Sequence, residues 1–211
     1  MSDVNNNLLE LSSKYQIIRK SIKKKLVEFK NISVDKYFYE MLFCCMTPQS
    51  SARSALKAQL EFERLKYLEN KINPKQILYT KEYYIRFHNS KAKYIQQIKL
   101  NFTEIKKIII SNISPEAKRD WLVKNVKGLG LKEATHFLRN IGMNGELAIL
   151  DRHILKCLIK YRVINKIPKS ISKKIYLSLE KKFQLFSNKT GISINELDLL
   201  FWSEQTGEII K

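Results

Sequence analysis

The chain has 211 residues, of which 44% are hydrophobic and 28% charged, a balance that excludes a disordered or collagen-like protein. Its 39 Lys and Arg against 20 Asp and Glu give a formal charge of +19, which favours a polyanionic partner, either nucleic acid or an anionic membrane surface. A coding bias toward lysine, isoleucine and asparagine is the alternative source of that charge. The length allows one domain or two small lobes.

Helical spacing of apolar residues extends over most of the chain. The predicted helices span, in order, residues 8–29, 37–46, a segment from the turn at 48–51 to 65, 91–110, 114–123, a stretch ending at 141, 151–161, 169–186 and 194–202. No segment shows the strict alternation of a strand, so the sequence predicts an all-α fold with nine to eleven helices.

Neither membrane insertion nor secretion is indicated. The longest apolar runs, such as residues 41–46, are far shorter than the ~18 residues that span a bilayer. The first seven residues lack the features of a secretory signal. Cys44, Cys45 and Cys157 form no C-x-x-C pair, which predicts buried side chains rather than a disulfide framework, a zinc site or an iron–sulfur cluster. We therefore expect an intracellular, cytoplasmic protein without metal, cofactor or membrane partner.

The most informative segment spans residues 126–134. Gly128 and Gly130 predict a tight reversal between two helices, because glycine adopts the positive φ angles that such a turn demands. Glycines also let backbone N–H groups at the start of the second helix approach a DNA phosphate. An ordinary helical hairpin with a glycine cap is the alternative interpretation.

Two residues near this hairpin are candidates for chemistry. Lys132 lies two residues after Gly130, so its amine should project from the end of the helix that receives the phosphate. Asp151 follows nineteen residues later and is predicted to cap the next helix. A solvated lysine and a simple cap are the alternatives, and the joint placement of the two residues around the hairpin favours a functional site.

The pattern Gly128-x-Gly130-x-Lys132-x-Ala134 followed by Asp151 resembles the helix-hairpin-helix signature of base-excision DNA glycosylases. In that superfamily a lysine at this position marks bifunctional glycosylase/lyases. A narrower resemblance is to the type-2 8-oxoguanine DNA glycosylases of archaea and some bacteria. It is carried by residues 47–52, 86–92, 132–140, 151–155 and 201–211. The loop before the aspartate departs from the signature because it contains no proline, and no cysteine quartet is present.

The resemblance implies an enzyme that flips 8-oxoguanine out of duplex DNA. Lys132 would form a Schiff base at C1′ and permit β-elimination, while Asp151 would stabilise positive charge on the sugar. It also implies two helical lobes around a DNA-binding cleft. One comprises residues 33–144, with the hairpin motif at about 119–141, and the other comprises residues 1–32 with 145–211.

The same resemblance places Lys211 near the oxidised base, and further site residues are predicted from their type and position. The predicted base pocket comprises Phe87, Trp202 and the C-terminal Lys211, with a place in the core as the alternative for both aromatics. The predicted DNA contacts are Gln49, Arg86, Lys91, Lys127, Gly128, Gly130, Arg139 and Arg152. We expect a monomer. A glycosylase for another damaged base and a non-catalytic helix-hairpin-helix DNA-binding protein remain the alternative functions.

Overall fold

The computed structural model describes the backbone of residues 2–209 and the side chains of residues 7–209. Those residues form ten α-helices, one 3-10 turn (Val34–Lys36) and no β-strand, which confirms the predicted all-α class. The helices are α1 (Ser2–Lys30), α2 (Tyr37–Met46), α3 (Ala52–Arg64), α4 (Pro74–Leu78), α5 (His88–Ile110), α6 (Pro115–Asn125), α7 (Leu131–Asn140), α8 (Arg152–Lys160), α9 (Lys173–Thr190) and α10 (Ile194–Thr206). Within the described part of the chain, no helix combines the length and apolarity that crossing a membrane requires.

Residues 32–143 form one compact unit, which contains α2 to α7. Helix α2 is its centre, since all ten residues of this helix are buried and it packs against α3, α5 and α7. A helix without a polar face is stable only inside a core. The one carboxylate of α2, on Glu40, accepts hydrogen bonds from Gln59 Nε2 at 2.9 Å and Asn140 Nδ2 at 3.1 Å, which offsets the cost of burying it.

The second unit combines the residues up to Asn31 with those from Asn144 onward, so that it contains α1 and α8 to α10. Helix α10 packs against α1, α8 and α9. The rings of Tyr161 and Phe183 stack on Phe201 with centroid distances of 5.3 and 5.8 Å. This aromatic cluster anchors α10, the helix that carries Trp202.

The structure adds one helix to those predicted and moves the start of another. Helix α4 was not predicted, although Asn73 caps it and Pro74 is its first residue, a pair of signals that is typical of a helix start. Helix α9 begins at Lys173 rather than four residues earlier, because the Ser172 side chain accepts the N–H of Ile175 and caps the helix there. The side chains of all three cysteines are buried, as predicted.

Candidate active site

The predicted reversal between α6 and α7 is confirmed, and Gly128 is its tightest point. This glycine has a φ of +94°. A Cβ atom built on it would lie 2.8 Å from Tyr94 Cδ2 and 3.1 Å from Cys45 Sγ. Glycine is therefore required for its backbone angle and also because α5 and α2 approach the turn closely.

We expect Gly128→Ala to lower the free energy of unfolding by about 3 kcal/mol, through the cost of positive φ and of the clash with Tyr94. Gly191→Ala is the matched control, since Gly191 has a φ of +67° and open space where a Cβ atom would lie. It should lose only about 1 kcal/mol. Urea unfolding of both variants measures the difference. Equal losses in the free energy of unfolding would show that the contacts of the new Cβ atom with Tyr94 and Cys45 cost nothing.

Gly130 differs from Gly128 in its conformation. Its φ of −88° is open to any residue, so the predicted need for positive φ is wrong at this position. The N–H of Gly130 donates to Glu133 Oε2 at 3.2 Å, and a Cβ there would meet that same oxygen at 3.0 Å. The Glu133 carboxylate thus lies at the N-terminus of α7, where the partial positive charge of the helix favours an anion.

Lys132 is the second residue of α7. Its side chain is 22% exposed, and Nζ lies 3.9 Å from Glu133 Oε1. The remainder of the helix, from Ala134 to Asn140, is buried. Lys132 therefore presents a partly covered amine directly after the glycine turn. Within the described part of the chain, this N-terminal end of α7 is the end that is not buried.

Asp151 is the N-cap of α8, as the sequence predicts. Its Oδ1 atom accepts the backbone N–H groups of His153 and Ile154, each at 2.8 Å. Its Oδ2 atom accepts the indole N–H of Trp202 at 3.1 Å. Three donors from α8 and α10 thus fix the orientation of this carboxylate. Trp202 is itself partly exposed, so it is not a core residue.

Gln49 and Phe87 both have left-handed backbones, with φ of 56° and 60°. Phe87 is 49% exposed, which excludes a core role, and Arg86 Cζ lies 5.1 Å from the centroid of its ring. Both residues line a cavity of about 270 Å³ that also borders Gly128. Left-handed backbone costs roughly 1–2 kcal/mol in residues other than glycine, and such strain concentrates at functional sites.

The predicted DNA contacts divide by exposure. Arg86, Lys127 and Arg152 are exposed, as a phosphate contact requires. Arg139 is only 4% exposed and Lys91 only 5% exposed, so neither charged group is presented to a ligand in solution, and we withdraw both as phosphate contacts. The predicted pocket residue Lys211 lies outside the described residues.

The predicted residues fall in both units of the chain. The unit of residues 32–143 holds Gln49, Phe87, Lys127, Gly128, Gly130 and Lys132, and the other unit holds Asp151, Arg152 and Trp202. Sequence reasoning missed the contacts of Glu133 with the turn and of Trp202 with Asp151. The spacing of Gly130 and Glu133 is a signal for the first, since a glutamate three residues after an N-cap commonly bonds back to it.

Comparison with known proteins gives a consistent result. Residues 22–192 match the model of a family described as 8-oxoguanine DNA glycosylase. A relative from Fusobacterium nucleatum named 8-oxoguanine DNA glycosylase/AP lyase is 36% identical, with 96% of both chains covered. A protein of that name from Methanocaldococcus jannaschii is 36% identical, with 92% of this chain and 93% of the relative covered.

Solved structures agree with these relatives. The 8-oxoguanine DNA glycosylase of Thermotoga maritima has a TM-score of 0.86 at 30% identity, with 99% of this chain and all of that chain covered. The M. jannaschii 8-oxoguanine glycosylase/lyase in complex with 15mer DNA containing 8-oxoguanine has a TM-score of 0.86 at 33% identity, with both chains fully covered. The chain therefore belongs to the 8-oxoguanine DNA glycosylase family.

Proposed function

We propose that this chain is a bifunctional DNA repair enzyme that releases 8-oxoguanine from duplex DNA and cleaves the strand at the resulting abasic site. The observation that carries the proposal is the placement of the Lys132 amine at the start of α7, directly after the glycine turn of the hairpin. The activity named for the full-length relatives requires an amine of this kind.

Lys132 is the proposed nucleophile for both steps. Its amine attacks C1′ of the damaged nucleotide, the bond from C1′ to the base breaks, and the electron pair of that bond leaves with the base, which takes up the proton that the attacking nitrogen loses. The second proton of the nitrogen passes to O4′ as the bond from C1′ to O4′ breaks, so the opened sugar carries an imine with Lys132. This imine acidifies the proton on C2′. Loss of that proton expels the 3′ phosphate by β-elimination and leaves a cleaved strand.

Asp151 is the proposed electrostatic partner in this reaction. Positive charge develops on the sugar as the bond to the base breaks, and a carboxylate facing that charge lowers the barrier. The three hydrogen bonds to Asp151 support this role, because a carboxylate that is already oriented needs no rearrangement during the reaction.

The extruded base needs aromatic or apolar walls. We assign this task to Phe87 and Trp202, supported by the exposed ring of Phe87 and the partial exposure of Trp202. Lys211 would approach the oxidised base, a role that rests on the family resemblance alone.

Duplex DNA is the proposed partner, and the charge of +19 supports it. The exposed side chains of Lys127 and Arg152 would contact phosphates, Gly128 and Gly130 would let the backbone of the hairpin approach them, and Gln49 would lie near the space that the base vacates. We propose that the protein acts as a monomer, since this one chain supplies both Lys132 and Asp151. Its proposed place of action is the nucleoid, where duplex DNA lies.

The test is incubation with duplexes that carry 8-oxoguanine opposite each of the four normal bases, and with duplexes that carry an alkylated base or an oxidised pyrimidine, with undamaged guanine as the control. We expect release of 8-oxoguanine, a β-elimination product and a covalent adduct after borohydride reduction. Preferential release of an alkylated base or an oxidised pyrimidine would overturn the substrate assignment. Binding with a steep salt dependence but without release of any base would instead identify a non-catalytic DNA-binding protein.

A further inference from the structure

A buried ammonium group ties together the two turns that carry Gln49 and Phe87. Lys91, the fourth residue of α5, is 5% exposed. Its Nζ atom donates to Met46 O at 2.6 Å, to Pro48 O at 2.7 Å and to Ser50 Oγ at 3.3 Å. All three donors of the ammonium group therefore go to the segment that surrounds Gln49.

Ser50 extends this connection to the second turn. Its hydroxyl oxygen accepts the hydrogen bond from Lys91 and also one from the backbone N–H of Arg86, at 3.0 Å. Arg86 directly precedes Phe87. Lys91 and Ser50 thus link the turn of Gln49 to the turn of Phe87, and both of these residues hold a left-handed backbone that persists only where the surroundings stabilise it.

Burying this charge is costly, which argues against a role that an apolar side chain would fill equally well. Burial lowers the pKa of Lys91 to about 8, and the positive charge of Lys132 acts in the same direction. Cys45 and Glu133 oppose it by favouring the charged form. At neutral pH the side chain still carries its ammonium group, which makes three hydrogen bonds that an apolar side chain could not make.

We propose that Lys91 is a positioning residue, whose ammonium group acts through Ser50 to hold Gln49 and Phe87 in the conformation that receives the extruded base. This inference rests on the proposed function, in which both of these residues face the DNA. Base release and abasic cleavage should therefore differ in how much they depend on Lys91. Release of 8-oxoguanine needs Phe87 in place, whereas an abasic site has no base to stack, so its cleavage by Lys132 depends much less on Lys91.

Lys99 offers a matched control on the same helix. Its Nζ atom donates to Tyr67 O at 2.5 Å and to Asn70 O at 2.6 Å, and burial lowers the pKa of its side chain. It holds a turn by the same chemistry, but that turn carries neither Gln49 nor Phe87. Lys91→Met and Lys99→Met both remove an ammonium group that anchors backbone carbonyls, while keeping an unbranched apolar side chain.

The experiment measures two single-turnover rates for each variant, release of 8-oxoguanine and cleavage of a preformed abasic duplex. We expect Lys91→Met to slow base release by about 10- to 100-fold, with abasic cleavage within about threefold of wild type. Lys99→Met should leave both rates within about threefold of wild type. Equal losses in the two rates of Lys91→Met, or base release at the level of Lys99→Met, would overturn the positioning role.

Ser50→Ala separates the positioning role from a general loss of folding. This variant deletes only the hydroxyl that joins the two turns, and it should slow base release more than abasic cleavage. If circular dichroism shows that Lys91→Met does not fold, Ser50→Ala decides the question by the same criterion. Failure of the wild-type protein to release 8-oxoguanine would refute the proposed function, whereas an active wild type with no selective loss in either variant would refute the positioning role alone.

Discussion

Replacement of Lys132 by glutamine is expected to abolish covalent trapping by borohydride and to slow release of 8-oxoguanine by about 10³-fold or more. Glutamine has nearly the same length but carries no amine, so neither attack on C1′ nor formation of an imine is possible. Lys91 is a poor substitute, because its Nζ atom is buried and bonded to Met46 and Pro48. Denaturing electrophoresis of reduced reactions measures the trapped adduct.

Lys127→Gln is the matched control for this loss of charge. Lys127 is exposed and lies five residues before Lys132, in the same hairpin. At saturating DNA, its replacement should leave trapping and base release at the wild-type level. Binding should weaken, and the slope of the logarithm of the binding constant against the logarithm of the salt concentration should fall in magnitude by about one. Trapping by Lys132→Gln at the level of Lys127→Gln would assign the nucleophile to another residue.

Signals that are local in the chain predicted the helices and their caps well. Helix α2 has the predicted bounds, because all its residues except Glu40 are apolar and Pro48 follows closely. Ser114 caps α6 and Pro115 is its first residue, and both features are visible in adjacent residues of the sequence. The missed helix α4 is a single turn and a half, too short for apolar spacing to identify.

Features that depend on distant contacts could not be predicted in the same way. The turn at Gly128 follows from its sequence, but its second constraint arises from Tyr94 and Cys45, which are 34 and 83 residues away in the chain. The same limit applies to buried charges. Lys91 was predicted to contact phosphate because its side chain is cationic, whereas the carbonyl groups that it binds lie more than 40 residues before it.

The catalytic assignments combine both kinds of information. Asp151 was predicted to cap the helix that follows it, and the structure confirms that role. The hydrogen bond from Trp202 to Asp151 joins residues 51 positions apart, so no local signal in the sequence indicates it. The cap hydrogen bonds hold Oδ1 and Trp202 holds Oδ2, so both oxygens of the carboxylate are fixed. A helix cap alone requires only one of them.

Replacement of Asp151 by asparagine should therefore separate chemistry from capping. Asparagine is itself a good N-cap, and its amide oxygen can still accept the N–H groups of His153 and Ile154. Its amide nitrogen cannot accept the indole N–H of Trp202, and the negative charge is lost. We expect release of 8-oxoguanine to slow by about 10²- to 10³-fold at saturating DNA, because the charge on the sugar is no longer stabilised.

Binding should respond differently from turnover. Removing one negative charge from a protein of charge +19 leaves affinity for duplex DNA unchanged or slightly higher. Glu146→Gln is the matched control, since Glu146 is exposed, lies five residues before Asp151 and undergoes the same change in charge. Its rate of base release should stay within about twofold of wild type.

Trp202→Phe separates two contributions of Asp151, its negative charge and the orientation of its carboxylate. Phenylalanine keeps an aromatic face for the base and leaves the charge and both cap hydrogen bonds intact, but it removes the indole N–H that orients Oδ2. We expect a loss of about tenfold in the rate, smaller than that of Asp151→Asn, because one donor is missing while the charge remains. Equal rates for Asp151→Asn and Glu146→Gln would show that Asp151 only caps α8, and Trp202 would then serve the base alone.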